Sequence, residues 1–215
     1  MIKYILFDLD GTLTDPYEGI SKCIIHALKA MGFELHKDYK EFIGPPLTYS
    51  FQNFCNMTYE ESLEAVKIYR ERFSTIGLYE NKVYDGIPNL LAKLKNQNKI
   101  LAVATSKPTV FSQKILDKFS LSQYFDIVVG SELNGERIEK DQVISECIKR
   151  LGVPQSNLNQ VVMIGDRKFD ILGAQKNNIK SIGVSYGYAP KGELEENNAD
   201  TIAHSVKELE NILLS

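Results

Sequence analysis

Tyr4-Ile5-Leu6-Phe7-Asp8-Leu9-Asp10-Gly11-Thr12-Leu13-Thr14-Asp15 is the stretch that decides how this chain folds. A short apolar run ends in two carboxylates one residue apart, and a Gly-Thr pair follows at once, the pattern of a buried strand that stops at a polar turn. Sheets of α/β proteins keep their active sites at such strand ends. With residues 5–9 extended, alternation points Asp8 and Asp10 to one side, and Gly11 opens the backbone around both. Two acids so placed repel one another. A hard divalent cation taking one oxygen from each relieves that repulsion, so Mg²⁺ is the expected cofactor. The competing reading is a strand end whose acids merely cap the next turn.

Moving outward, the composition is that of an ordinary globule: 215 residues, 43% apolar and 25% charged. A net charge of −3 offers no basic field for nucleic acid or an anionic membrane, so neither partner is expected. Cys23, Cys55 and Cys147 lie far apart without CxxC spacing, which favours reduced structural thiols over a disulfide frame or a zinc site. No apolar run approaches the roughly 20 residues that span a bilayer, and Asp8 interrupts any signal-peptide core. A cytoplasmic protein, monomer or homodimer, is expected.

Downstream of Asp15-Pro16, Ile20, Ile24, Ala27, Leu28 and Met31 recur at helical spacing until Gly32. Pro45-Pro46 fixes an extended turn, and Thr58 with Glu61 forms a capping box opening a long helix through Phe73. Residues 16–80 therefore read as helical. From Val83 onward helices and apolar strands alternate. Strands are expected at Ile100 to Ala104, Phe125 to Val129, Val161 to Ile164 and Ser181 to Val184, with helices between them near Thr109 to Phe119, Gln142 to Leu151 and Ile171 to Lys176. Such alternation means a parallel sheet covered on both faces. The first strand stands apart from its sheet partners, so the intervening segment reads as an insertion. The fold class is α/β: a doubly wound, Rossmann-like parallel-sheet core (residues 1–15 and 82–215) with an inserted all-helical cap domain (residues 16–81).

Three further stretches bring chemistry to strand ends. Thr105-Ser106 places hydroxyls and backbone N–H groups where phosphate oxygens can bind, although the pair also suits a helix cap. Lys140 stands just before the helix that starts near Gln142, where the dipole disfavours a cation and a functional role explains its presence better. Gly165-Asp166-Arg167-Lys168-Phe169-Asp170 delivers two acids one helical turn apart. In the insertion, Arg70 and Arg72 offer either a clamp for a carboxylate or second phosphate, or a solvated helix face. The Ile43 to Leu47 loop is either a specificity loop or a rigid connector.

Together DLDGTLTD, Thr105, Lys140 and GDRKFD resemble, in order, the motifs of the haloacid dehalogenase superfamily of aspartate-nucleophile phosphatases. The helical insertion after the first motif is similar to its helical-cap subgroup. The resemblance implies that Asp8 is the nucleophile and Asp10 the general acid and base, with Thr105 and Lys140 completing the catalytic set. Phosphate would be bound by Asp8, Gly11, Thr105, Ser106 and Lys140, and Mg²⁺ by Asp8, Asp10, Asp166 and Asp170. Glu18, Gly44, Pro45 and Arg70 are candidates for substrate specificity. Lys140 is followed by Asp141 where the family often has proline, so Lys107 and Lys149 remain competitors for its role. The implied activity is Mg²⁺-dependent hydrolysis of a small phosphorylated metabolite, phosphoglycolate or a nucleoside monophosphate. A sugar-phosphate mutase and a non-enzymatic phospho-aspartate switch are the alternatives. Dehalogenases lack an acid at the position of Asp10, the mutases carry a cap histidine that Pro16-Tyr17-Glu18-Gly19 does not supply, and phospho-aspartate switches have no large helical insertion.

Overall fold

The first strand, β1 (Tyr4–Phe7), is buried along its whole length and occupies the middle of the sheet in this computed structural model, which describes residues 2–215. In chain order there follow β2 (Thr14–Asp15), α1 (Tyr17–Met31), α2 (Leu47–Cys55), α3 (Tyr59–Phe73), β3 (Lys82–Val83), α4 (Ile87–Asn96), β4 (Ile100–Pro108) and α5 (Thr109–Lys118). The chain continues through β5 (Ile127–Ser131), α6 (Lys140–Arg150), β6 (Val161–Gly165), α7 (Lys168–Lys176), β7 (Lys180–Val184), α8 (Glu193–Glu196), β8 (Thr201–Ala203) and α9 (Val206–Leu214). Six strands make one parallel sheet in the order β5-β4-β1-β6-β7-β8. The fold is α/β with helices on both faces. Among the described residues no helix is long and apolar enough to cross a membrane.

Strand alternation divides the core cleanly. Ile5 and Phe7 face one apolar cluster with Leu101, Val103, Val162 and Ile164, whereas Tyr4 and Leu6 face the other with Ala102, Ala104 and Met163. Burial of each such large side chain contributes about 1.5–3 kcal/mol. After β1 the chain crosses to β4 and β5 on one side, then returns past β1 to β6 on the other. The carboxyl end of β1 is thus the point where the winding reverses, the place where open α/β sheets form a crevice.

Two facts tie the 16–81 segment to this crevice. Its neck is closed by an antiparallel ribbon, Thr14 opposite Val83 and Asp15 opposite Lys82, formed by the residues that flank the segment read as helical and not anticipated there as strands. Beside the ribbon, the Gly19 N–H donates to Glu80 O (2.9 Å), and Arg72 pairs with the Glu80 carboxylate at 2.8 Å. The apolar cluster on one sheet face also runs without a break into the insertion, through Phe42, Phe51, Tyr69 and Phe73.

Several boundaries differ from the expected ones. β4 continues past Ala104 to Pro108 with a register irregularity, so Thr105 and Ser106 lie in a distorted strand end rather than after it. α6 begins at Lys140 itself, and β5 is shifted toward Ser131. The Thr58 and Glu61 capping box is present, with both reciprocal hydrogen bonds made.

Candidate active site

Asp8 follows the last residue of β1. Its N–H still donates to Ile164 O (2.8 Å), which fixes the backbone, and its side chain is buried at the crevice. Lys140, at the start of α6, reaches in from below. Its Nζ lies 2.9 Å from Asp8 Oδ1 and 2.8 Å from Asp170 Oδ1, and it donates a hydrogen bond to Ala104 O at 3.1 Å. Burial opposes the Lys140 charge, but attraction to Asp170 and Asp8 overcomes it and holds the ammonium above its ordinary pKa.

Asp166 and Asp170 arrive on the β6–α7 connection. Asp166 is fully buried, and its Oδ2 accepts the Tyr188 N–H at 2.7 Å. Asp170 Oδ2 accepts the Arg167 N–H at 3.1 Å across the first turn of α7. Burial pushes both carboxyl groups up: Asp166 well above the ordinary range, with Asp8 and Asp170 adding to the rise, and Asp170 to about 6 despite the opposing pull of Lys140. Glycine is required where these acids crowd the backbone. Gly11 has φ +80°, and a Cβ there would overlap the Asp166 carboxylate. A Cβ at Gly165 would overlap the Asp170 carboxyl group.

Asp8, Asp166 and Asp170 each offer an oxygen within 4.8 Å of the others, a cluster able to hold a metal ion. Among the described residues, Asp10 Oδ1, Thr12 Oγ1 and Asp166 Oδ1 are buried with no hydrogen-bond partner, and Asp8 Oδ1 and Asp170 Oδ1 have only the Lys140 ammonium that they share. The carboxylate oxygens among them belong to this one site. Native proteins rarely leave buried polar atoms unmatched, and carboxylate oxygens gathered with too few donors are the donor set of a hard cation. Four carboxylates, Asp10 included, face only Lys107 and Lys140, an excess of negative charge that a divalent ion would offset. The residues present therefore fit Mg²⁺.

Asp10 departs from expectation. Its carboxylate is not part of the Asp8, Asp166 and Asp170 cluster; Lys107 Nζ holds Asp10 Oδ2 at 2.6 Å. β1 ends at Phe7 and the turn at Gly11 begins so soon that Asp10 bridges to Thr14 instead of continuing the strand, and its side chain swings toward β4. The Asp10 carboxylate thus stands beside the cluster of Asp8, Asp166 and Asp170, with Lys107 as its partner.

A cavity of about 520 Å³ opens over Asp8 and Asp10. On the sheet side it is lined by Thr105, Ser106 and Lys107, and on the insertion side by Gly44, Pro45, Tyr69, Arg70 and Phe73. Thr105 is buried, and its Oγ1 accepts the Lys107 N–H at 3.2 Å. Arg70 is half-buried, and no acid among the described residues pairs with it; burial lowers its pKa. Glu18 does not reach this cavity. It is exposed on α1 and pairs with Lys22 at 2.7 Å, because the phase of α1 turns Gly19 and Ile20 inward instead. Arg72 is likewise directed away, to Glu80 and to Cys23 Sγ.

The comparisons agree with this geometry. The family described as Haloacid dehalogenase-like hydrolase matches residues 5–184. The chain belongs to that family. Among curated relatives of this haloacid dehalogenase-like hydrolase, a 5'-nucleotidase of Pseudomonas aeruginosa is 44% identical over 193 residues, 88% of this chain and 86% of the relative. The tyrosine-protein kinase PtkA of Mycobacterium bovis is 32% identical over 94% of this chain and 69% of its own length. A crystal structure of a predicted phosphatase from Clostridium acetobutylicum superposes with a TM-score of 0.94 at 44% identity, covering 100% of this hydrolase and 99% of that chain.

Three residues of the site carried no decisive sequence signal. Lys107 follows Thr105-Ser106 directly, and that adjacency was its only mark. Tyr188, which holds Asp166, comes from the connection after β7. Arg167 sits inside the GDRKFD motif; its guanidinium bridges Glu193 (2.8 Å) and Ile43 O, so the insertion loop docks on the residue next to Asp166.

Proposed function

We propose that this hydrolase is a Mg²⁺-dependent phosphomonoesterase that works through an aspartyl-phosphate on Asp8. The observation that carries the reading is the convergence of Asp8, Asp166 and Asp170, with buried Lys140 between Asp8 and Asp170, where Asp8 lines a cavity that also exposes Asp10 and Thr105. Asp8, Asp166 and Asp170 would hold the metal, which when bound would screen the repulsion between carboxylate and phosphate.

Asp8 attacks phosphorus through one carboxylate oxygen. As the new O–P bond forms, the ester P–O bond breaks and the leaving oxygen takes a proton from Asp10. Asp10 then removes a proton from water, whose oxygen attacks the same phosphorus. The aspartyl O–P bond breaks, returning the Asp8 carboxylate and releasing phosphate. Lys140 keeps the Asp8 carboxylate in place and compensates its charge. Thr105 Oγ1 already accepts one hydrogen bond from Lys107 N, which leaves its O–H free to donate to a phosphoryl oxygen.

The cavity walls are mainly apolar and aromatic, with Arg70 as the cation that lacks an acidic partner among the described residues. That lining suits a leaving group with a flat apolar part and an electron-rich edge, so a nucleoside monophosphate ranks ahead of phosphoglycolate. The similarity to a 5'-nucleotidase supports the same ranking. Hydrolysis is favoured over a mutase, because His26 lies exposed on α1 and does not line the cavity. Kinase chemistry is disfavoured by the absence of a phosphate loop: the segment from Gly130 to Gly135 has no Lys-Ser/Thr ending. Phosphate release from nucleoside monophosphates, phosphoglycolate, sugar phosphates and an aryl phosphate, with Mg²⁺ and with chelator, tests the proposal. Mg²⁺-dependent release led by nucleoside monophosphates is expected, and no release from any member in Mg²⁺ would contradict it.

A further inference from the structure

Lys107 is held from two sides. Its Nζ lies 2.6 Å from Asp10 Oδ2 and 4.7 Å from the centre of the Phe73 ring, and its side chain is only 6% exposed. Phe73 belongs to α3 of the insertion. There it stacks on Tyr69 (5.3 Å between centroids, 16° between planes) and meets Phe111 of α5 edge-on at 5.4 Å. Lys107 itself sits in the irregular end of β4, where the Thr105 side chain accepts its N–H. One ammonium group therefore joins the acid of the first motif to an aromatic ring that arrives only with the insertion. Cation–ring contacts are strongest when desolvated, and little of the Lys107 side chain is exposed.

The two oxygens of Asp10 are not equivalent. Oδ2 is taken by Lys107, whereas Oδ1 is buried without a partner and Asp10 lines the cavity. An ammonium group donates and never accepts. With such a donor on Oδ2, Oδ1 is the oxygen left to exchange a proton with whatever enters the cavity.

We propose that Lys107 is a positioning residue: clamped between Asp10 and the Phe73 ring, it turns the free Asp10 oxygen toward the leaving group while the insertion is packed over the sheet. The inference rests on the reading of Asp10 as the acid that protonates the leaving oxygen. It makes proton donation depend on the insertion through one side chain, and it needs no contact between Lys107 and phosphate.

Paired substrates test it. The nitrophenolate released by 4-nitrophenyl phosphate departs without a proton; benzyl phosphate has nearly the same shape, but its alkoxide must be protonated. In Mg²⁺ buffer, kcat/KM reports only the steps through the first irreversible transfer, so slow hydrolysis of the aspartyl-phosphate does not mask the comparison. The ratio of the two kcat/KM values is also independent of the folded fraction. Asp10→Asn sets the benchmark, with a loss on benzyl phosphate about 100-fold or more beyond the loss on the nitrophenyl ester. Lys107→Met is expected to show the same bias at about tenfold or more, Lys107→Arg to recover part of it, and Phe73→Leu to show it at about threefold. Equal losses on both esters in Lys107→Met would overturn the inference and mark Lys107 as a phosphate ligand or a packing residue. No loss in Lys107→Met would overturn it too. If Asp10→Asn itself shows no bias, the reading of Asp10 as acid fails, and the inference falls with it.

Discussion

Lys140 Nζ stands 2.9 Å from Asp8 Oδ1, so the carboxylate in position to attack phosphorus is already tied to a buried cation. The same nitrogen reaches Asp170 at 2.8 Å and Ala104 O at 3.1 Å, which leaves it no slack. A charge fixed in advance costs no reorganisation during the reaction, the usual origin of large electrostatic contributions to rate.

Lys140→Met is therefore expected to lower kcat by about 10³-fold or more. It also strands Asp8 and Asp170 without their shared cation, and breaking a buried pair from one side costs about 3–5 kcal/mol. Urea unfolding at neutral pH checks the stability part. A variant as stable and as active as the wild type would contradict it.

The acid cluster gives metal-free protein an inverted pH response. Burial raises Asp170 from 3.8 to about 6, and Asp166 is raised as well. The native state thus binds protons that the unfolded chain has already released, and stability falls as pH rises from about 4 through 6. Glu80, held near 2 by Arg72, titrates below this window. In chelator, the melting temperature should be higher at pH 5 than at pH 7.5. Saturating Mg²⁺ requires the ionised carboxylates, so it should raise the melting temperature most at pH 7.5. Thermal scans in these four conditions make the comparison. A chelated protein that melts higher at pH 7.5 than at pH 5 would contradict it.

Gly11→Ala places a side chain at φ +80° and against the Asp166 carboxylate. The left-handed backbone alone costs about 1–2 kcal/mol, and displacement of Asp166 should weaken Mg²⁺ binding. Titrating the melting temperature with Mg²⁺ in wild type and variant separates the two effects: the variant should melt lower without metal and need more Mg²⁺ for the same rise.

Arg70→Met removes a half-buried cation with no acidic partner from the cavity wall. For a substrate with an anionic or electron-rich group on its leaving part, KM should rise about tenfold with kcat little changed, the signature of lost uniform binding. An aryl phosphate lacking such a group should be affected far less. Equal effects on both would place Arg70 outside substrate recognition.

What the sequence made legible was local. The apolar run at Ile5 to Phe7, the alternation of helix and strand after Val83, and the capping box at Thr58 each depend on neighbours in the chain, and the fold followed from them. The acids of DLDGT and GDRKFD could be placed because both end buried strands. The pairing of Asp10 with Lys107 could not, since it depends on how the Gly11 turn and the irregular end of β4 meet. Tyr188, Glu193 and the ribbon at the neck of the insertion were hidden for the same reason, their partners being distant in sequence. Glu18 was misplaced because proximity to the first motif says nothing about which face of α1 turns inward.

Every step of the proposed hydrolysis passes through Asp8 as the carrier of the phosphoryl group. Rapid quenching of wild type in Mg²⁺ and substrate, followed by intact mass and peptide mapping, measures this directly. One added phosphoryl group is expected on the peptide containing Asp8, removed by hydroxylamine, with neither label nor turnover in Asp8→Asn. Retention of a tenth of wild-type activity by Asp8→Asn, or a phosphoryl group mapped to another residue, would contradict it.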